Sequence, residues 1–392
     1  MRAQPRVTGK ASPRSGHRLQ RPGRSGRLRT ICDRRSGRRP ADEDAPAIPS
    51  SAPLPVLLLS DGRAGHANLS EGIIAAIARR RPVEVRRLEV RRGRWPGHVL
   101  AALTVWRGSA RSVLTRVYAL EPASLAPATL VVSAGAETLA ANVAAARLLG
   151  ARNIFYGSLR RFRAADFSLS LTSYAADAIA PSQRMVLKPC RLDPDRLPIP
   201  AGRRGGMPGR VALLIGGDAP GIAYDAQDWE RLAAFLAATH AADGTRWIVS
   251  GSRRTPDAVA DRLAALARQQ PGPVERFIDV RRPDAAGLVE ILVDAGAVVA
   301  TADSSTMLSE AVWARRPALA ITPERFRLEA RETTYRRHLA DRHWARTLPI
   351  ALLTPATFRA ALAQITPYGG NMLDDLSVLL AHQLPELFLS QQ

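Results

Sequence analysis

The stretch AVVATADSSTMLSEAVWARRPALAI, residues 297–321, admits few conformations. Residues 297–300 are an apolar run of strand length and β-branched content. Thr301, Ala302, Asp303, Ser304 and Ser305 interrupt it, and Met307, Leu308, Ala311 and Val312 then return at helical spacing. Pro317 ends that helix, and residues 318–321 read as the next strand. Strand, polar turn, helix, strand is the repeat of a parallel α/β sheet, whose ligand crevice lies outside the carboxyl ends of the strands. Asp303, Ser304 and Ser305 fall at such an end. Either serine can cap the helix while its free N–H groups and positive dipole end face the crevice. Glu310 lies about two turns in. Carboxylates that accept hydroxyl protons, beside a helix start that takes phosphate, suit a sugar-nucleotide. The plainer alternative is a capped helix with a solvated Glu310.

The same grammar runs through the chain. Residues 56–59 form a buried strand, followed by the loop Asp61-Gly62-Arg63-Ala64-Gly65-His66-Ala67-Asn68. Asn68 and Glu71 have capping-box spacing, which predicts a helix from Leu69. Gly62 and Gly65 allow close approach of backbone to a ligand, and His66 and Asp61 bring a titratable base to the crevice. The loop has no GxGxxG, so it is not a dinucleotide fingerprint. On residue types alone, His66 is equally a structural loop histidine. Further strands are expected at 83–90, 129–133, 153–156, 167–171 and 184–187, completing a first domain over residues 53–188. Residues 189–209, rich in Pro and Gly, read as a linker.

A second domain, 210–353, opens with a strand at 210–215 running into Gly216-Gly217-Asp218. Residues 246–249 run into Ser250, Gly251, Ser252, Arg253 and Arg254, with Thr255 as a cap and Pro256 in the first helical position. Strands at 274–279 and 297–301 follow, so these polar turns share one edge of a sheet. Gly216 and Gly217 offer bare amides there, and Arg253 or Arg254 a guanidinium fork for a diphosphate. Asp225 is positioned to cap the helix that contains Trp229. Residues 354–392 read as helices that cross back to brace the first domain.

The chain has 392 residues, 46% hydrophobic and 23% charged, which is globular composition with room for two cores. Its formal charge of +21 is carried by arginine, because Lys10 and Lys188 are the only lysines. Such Arg- and Ala-rich composition follows codon bias, and no zinc-finger spacing or aromatic RNA-stacking box accompanies it. Nucleic acid is therefore set aside as a partner, while an anionic membrane surface or a phosphorylated ligand fits the charge. Cys32 and Cys190 are the only cysteines, and the seven histidines show no HExxH, so neither a disulfide framework nor a metal site is expected. Residues 1–52 form a basic tail without apolar periodicity, with 13 Arg or Lys against 4 Asp or Glu in the first 50, and are expected to be disordered. In residues 91–120, Val99, Leu103, Trp106, Val113 and Val117 have helical spacing, but Arg107, Arg111 and Arg116 forbid a membrane span. Trp95 and Trp106 beside arginines suit a helix lying on anionic lipid; an amphipathic core helix explains the pattern as well.

Two motifs together, DGRAGHANLSEG at 61–72 and the series GGD, SGSRRTP and TADSSTMLSEA between 216 and 311, resemble the mitochondrial-fission (elongated-mitochondria) family. That family is in turn similar to the two-domain glycosyltransferases called GT-B. The resemblance implies an α/β protein of two Rossmann-like domains facing across a cleft. It also implies a nucleotide-sugar held by the second domain and an acceptor by the first. Gly65 and His66 match the Gly-rich acceptor-side loop that ends in His, whereas Asp61 and Arg63 depart from its glycine pattern. Ser304, Ser305 and Glu310 match the donor-side element whose Glu binds ribose and whose helix start faces phosphate. The expected protein is a metal-independent glycosyltransferase without a cofactor. Gly216, Gly217, Asp218, Ser250, Arg253, Arg254, Asp303, Ser304, Ser305 and Glu310 would be on the donor side, and Gly62, Arg63 and Gly65 on the acceptor side. His66, or failing it Asp61, would be the base. The alternatives are a nucleotide-sugar 2-epimerase and a non-catalytic adaptor, since recruiting the fission machinery needs no chemistry. The expected location is the cytoplasm, peripheral to the inner membrane.

Overall fold

Two six-stranded sheets, parallel at every pairing, are built from the apolar runs read above. In the first, β1 (Leu54–Ser60), β2 (Val83–Glu89), β3 (Leu130–Ala134), β4 (Arg152–Tyr156), β5 (Leu169–Thr172) and β6 (Gln183–Met185) lie in the order β2-β1-β3-β4-β5-β6. In the second, β7 (Arg210–Leu214), β8 (Arg246–Ser250), β9 (Val274–Ile278), β10 (Ala297–Thr301), β11 (Ala318–Thr322) and β12 (Ala345–Pro349) lie in the order β9-β8-β7-β10-β11-β12. The second order is that of the doubly wound dinucleotide fold, and each sheet reverses its direction of winding once, beside β1 and beside β7. The structure, a computed structural model, describes residues 52–105, 109–198, 203–204, 207–269, 271–282 and 287–389. The basic tail, except for Ala52, and Trp106 and Arg107 lie outside the described residues.

Because successive residues of a strand point to opposite faces, each central strand feeds two cores. Val56 and Leu58 of β1 enter a layer shared with Ala212 and Leu214 of β7, whereas Leu57 and Leu59 pack on the far side of the first sheet. Val211, Leu213 and Ile215 pack on the far side of the second. The shared layer is closed by α1 (Ala64–Ala78) and by the helix from Ser305 to Trp313, named α7 below, so the two lobes have one apolar seam. The fold is thus α/β, with two Rossmann-like sheets face to face as in GT-B enzymes. β2, an edge strand, carries the exposed residues Glu84, Arg86 and Arg87.

In the first lobe, α2 (Gly97–Val105) and α3 (Leu139–Leu149) cover the outer face. Leu100, Val113 and Val117 of the segment that offered a lipid-facing alternative are buried there, and Trp95 is partly exposed. Among the described residues no helix is long and apolar enough to cross a membrane. In the second lobe, α4 (Ala226–Asp243) starts at a capping box formed by Asp225 and Asp228, as expected of Asp225. The next helix, α5 (Asp257–Arg268), begins one residue later than Pro256 suggested. It is followed by α6 (Leu288–Asp294), α7 (Ser305–Trp313), α8 (Ala330–Asp341), α9 (Pro355–Ala363) and α10 (Met372–Gln383).

Of the two helices expected to brace the first lobe, α9 stays with the second, its Phe358 ring 5.3 Å from Phe235 and 5.7 Å from Trp247. Only α10 crosses back onto α1. Arg79 bonds Asp193 at 2.8 Å and Asp374 at 2.7 Å, while Asn371 donates to Asp193 at 2.9 Å and Asp195 at 2.7 Å. Arg315, just past α7, closes the clasp on Asp195 at 2.8 Å. The segment expected to be a linker is therefore held down at its start, with Cys190 and Leu192 buried against α1.

Gly72 makes that fit possible. A Cβ there would stand 2.5 Å from the backbone nitrogen of Cys190 and 2.7 Å from the carbonyl carbon of Pro189. Gly72→Ala is expected to cost about 1–3 kcal/mol, the range for overpacking, read as a lower urea midpoint at unchanged slope. A wild-type midpoint would mean that the segment moves aside freely.

Candidate functional site

The two winding reversals carry the residues that the motifs singled out. At the first, Asp61 follows β1 and Gly135 follows β3, with His66 between them. The Asp61 carboxylate, 3% exposed, lies 2.8 Å from His66 Nδ1 and accepts from the Arg63 amide at 3.2 Å. With its proton on Nδ1 the ring donates to this carboxylate, and Nε2 is left as an acceptor. The ring rests on Gly135, whose φ is +92° and where a Cβ would come within 2.2 Å of Nδ1. No side chain fits there.

The rest of the loop is positioned less directly. Gly62 takes the left-handed turn at φ +77° beside Glu89. Gly65 lies in the first turn of α1, where a Cβ would meet nothing within 4 Å, so the chain itself does not demand glycine there. Arg63 is exposed, with Nε 4.0 Å from Asp61. The helix starts at Ala64, not Leu69, because the Arg63 carbonyl accepts from the amides of both His66 and Ala67. Asn68 is thereby freed from capping and turns toward the seam from the second turn.

At the second reversal, the ends of β7, β8 and β10 converge. The Gly216 amide donates to Thr301 Oγ1 at 2.6 Å, and Thr255 Oγ1 donates to the Gly216 carbonyl at 2.9 Å. A Cβ on Gly216 would fall 1.8 Å from Asp303 Oδ2, and one on Gly217 would fall 2.0 Å from the Arg254 carbonyl. Thr255, expected as a cap, is thus part of this knot. The Asp303 side chain is fully buried and meets Arg254 Nη2 at 2.5 Å. Burial pushes the Asp303 carboxyl above its usual pKa, against the pull of Thr301 and Arg254. Arg254, expected as a fork for a diphosphate, spends Nη2 on Asp303 although its side chain is 44% exposed, and Arg253 is exposed too. Ser250 donates to the Gly251 carbonyl at 3.2 Å, and Asp218 accepts from the Tyr224 amide at 2.9 Å, so both serve their own turns. Ser304 caps α7 by accepting from the Met307 amide at 3.3 Å, one of the two assignments left open.

The N-terminal halves of α1 and α7 then meet. Asn68 Nδ2 donates to Glu310 Oε1 at 3.4 Å across 242 positions of sequence. Glu310 is 6% exposed, so it lies within the closed seam and not on an open wall. Burial pushes its carboxyl up to about 7, with the Asn68 amide pulling it down. Next to it, Lys188 Nζ reaches Ser305 Oγ at 2.5 Å and Glu332 at 3.6 Å. Tyr174 donates to Glu332 at 2.9 Å and Arg336 Nε does so at 3.1 Å. Sequence reading missed this cluster; the one available signal was a single lysine in an otherwise arginine-bearing body. Among the described residues no group of acidic, His or Cys side chains has the arrangement of a metal site.

The Glu310 carboxyl makes stability depend on pH. Between its ordinary 4.5 and about 7 the folded chain keeps a proton that the unfolded chain has lost, so stability falls as pH rises through that window. Glu310→Gln is expected to flatten this dependence and to exceed wild type at pH 8 by on the order of 1–3 kcal/mol, with no difference near pH 4. Denaturant unfolding at several pH values checks it; parallel curves for the two proteins would refute a buried, protonated Glu310.

Residues 203–366 match the model of a family described as mitochondrial fission ELM1. The family likeness read from the motifs is thus borne out over the part of the chain that holds the second sheet. Similar solved structures include a glycotransferase of kitacinnamycin, 13% identical, covering 87% of this chain and 97% of that one at a TM-score of 0.48. MurG of Acinetobacter baumannii is 12% identical, with 84% and 100% covered at a TM-score of 0.45. The UDP-GlcNAc 2-epimerase of Methanocaldococcus jannaschii, in complex with UDP-GlcNAc and UDP, is 10% identical, with the same coverage and TM-score. No curated protein matches.

Proposed function

We propose that this chain, a mitochondrial-fission-family relative over its second lobe, is a nucleotide-sugar enzyme of the glycosyltransferase kind. The observation that carries the reading is the pairing of opposite chemistries at the two winding reversals. On one side is a histidine whose Nδ1 lies 2.8 Å from a buried aspartate; on the other is a serine-capped helix start above a glycine turn. In this reading His66 Nε2 removes the proton from an acceptor hydroxyl as it attacks the sugar carbon. The diphosphate leaves toward the start of α7, whose dipole stabilises the growing negative charge, while the Gly216 and Gly217 amides, already held by Thr301 and Asp303, shape the turn beneath it. Asp61 holds the imidazole in its useful tautomer and stabilises the imidazolium that forms. Glu310 meets the ribose hydroxyls once the seam opens, exchanging Asn68 for them.

Calorimetric titration with UDP- and GDP-sugars tests the proposal. Binding is expected, with His66→Ala leaving affinity within about threefold and lowering turnover by the 10²–10⁴ typical of a lost general base. Absence of binding at millimolar ligand would end the enzymatic reading. Product analysis without acceptor separates transfer from 2-epimerisation.

One observation favours a second reading, a binding protein that keeps the fold without chemistry. Asn68, Glu310, Lys188 and Ser305 bond across the seam where a donor would lie. Co-sedimentation with anionic liposomes, together with no nucleotide binding, would support that adaptor.

A further inference from the structure

We propose that Lys188 and Arg336, with Ser305, form a buried seat for a diphosphate-class anion, and that Lys188 supplies the counter-charge to the leaving group from the segment that joins the lobes. The identity of the anion rests on the nucleotide-sugar reading above; the seat itself rests on charge and geometry.

Charge is out of balance around Lys188. Lys188, Arg336 and Glu332 have side chains 10%, 9% and 16% exposed, so two cations share one carboxylate in a nearly closed space. Glu332 is fully used: it takes Lys188 at 3.6 Å, Arg336 at 3.1 Å and the Tyr174 hydroxyl at 2.9 Å. Burial would raise its carboxyl, but these three groups hold it below the usual range. Burial also holds the Lys188 ammonium below its ordinary pKa, with Glu332 pulling the other way. A surplus cation out of water is costly, and a bound anion removes that cost.

Arg336 also holds an unspent donor. Arg336 places Nη2 on the Ala302 carbonyl at 2.5 Å and Nε on Glu332, yet its Nη1 is buried without a hydrogen-bond partner. Ala302 immediately precedes the Asp303-Ser304 turn that starts α7. The guanidinium thus stands at the base of the helix start, whose first residue, Ser305, receives Lys188 Nζ at 2.5 Å. Nη1 is thus the guanidinium nitrogen left to face an anion at the helix start.

The surroundings of Lys188 also differ from those of the arginines that the sequence put forward. Arg254 is paired with the buried Asp303, and Arg253 is exposed. The Lys188 ammonium is instead framed by aromatic faces, 4.9 Å from the centre of the Tyr335 ring and 5.4 Å from that of Tyr174. These walls exclude water, which strengthens any charge pair formed between them. The four-carbon stem of lysine lets the ammonium turn from Glu332 to a phosphate oxygen without backbone movement.

Isothermal titration of the full chain at low salt decides the matter, with inorganic pyrophosphate, UDP, GDP and their sugar conjugates as probes. Pyrophosphate is expected to bind wild type and to lose at least tenfold in affinity in Lys188→Met, with most of the loss recovered in Lys188→Arg. Arg336→Lys, which withdraws the spare donor while keeping the charge, is expected to lose severalfold and reads the same seat if Lys188→Met does not fold. Unchanged affinity in Lys188→Met and Arg336→Lys, for pyrophosphate and nucleotide-sugars alike, would overturn the seat and leave the nucleotide-sugar reading standing. Lys188-dependent binding of pyrophosphate with no response to any nucleotide would keep the seat and overturn that reading. Binding of none of the probes by wild type would overturn both.

Discussion

The apolar seam between the two sheets sets the conditions for everything else. One residue in two of β1 and β7 enters the same layer, so the lobes are joined by burial and not by a tether alone. Apolar contact is non-directional and roughly proportional to area, so it fixes that the lobes meet but not their register. Register comes from the few polar groups trapped in the seam: Asn68 with Glu310, and Lys188 with Ser305 and Glu332. Each would be costly if left unpaired, which makes the closed arrangement specific. The same groups border the start of α7, so what specifies closure also borders the candidate site.

Much of the scaffold could be read from residue order because its causes are local. Apolar runs of β-branched residues gave the strands, and small polar residues after them gave the turns. Ser304 and Asp225 were readable as caps because a capping side chain bonds an amide only three residues ahead. β12 and α8 escaped notice for an equally physical reason. β12 is an edge strand of alternating burial, Ala-Arg-Thr-Leu-Pro, and α8 is mostly charged, buried chiefly through Tyr335, Arg336 and Leu339. Neither offers an apolar run.

The candidate site was legible in its members but not in their pairings. That Asp61 and His66 lie near each other follows from a five-residue separation. Asn68 was assigned to capping because its true partner is 242 positions away, and no local rule reaches that far. Arg254 was read as a free guanidinium since nothing in the sequence ties it to Asp303. Lys188, Glu332 and Arg336 come from three different parts of the chain, brought together only when the sheets pack. Sequence position shows what a turn can offer; tertiary packing decides what each side chain is already holding.

The clasp of Arg79, Asp193, Asp195, Arg315, Asn371 and Asp374 has a mechanical meaning. The backbone passes between the lobes at two places, once after β6 and once before α10, and these passages are riveted side by side by that network. Two crossings tied to one another give the lobes a shared anchorage, so neither passage can loosen without breaking ion pairs that also hold the other. The last helix is therefore part of the joint itself, since Asn371 at its start and Asp374 in its first turn supply two of the ties.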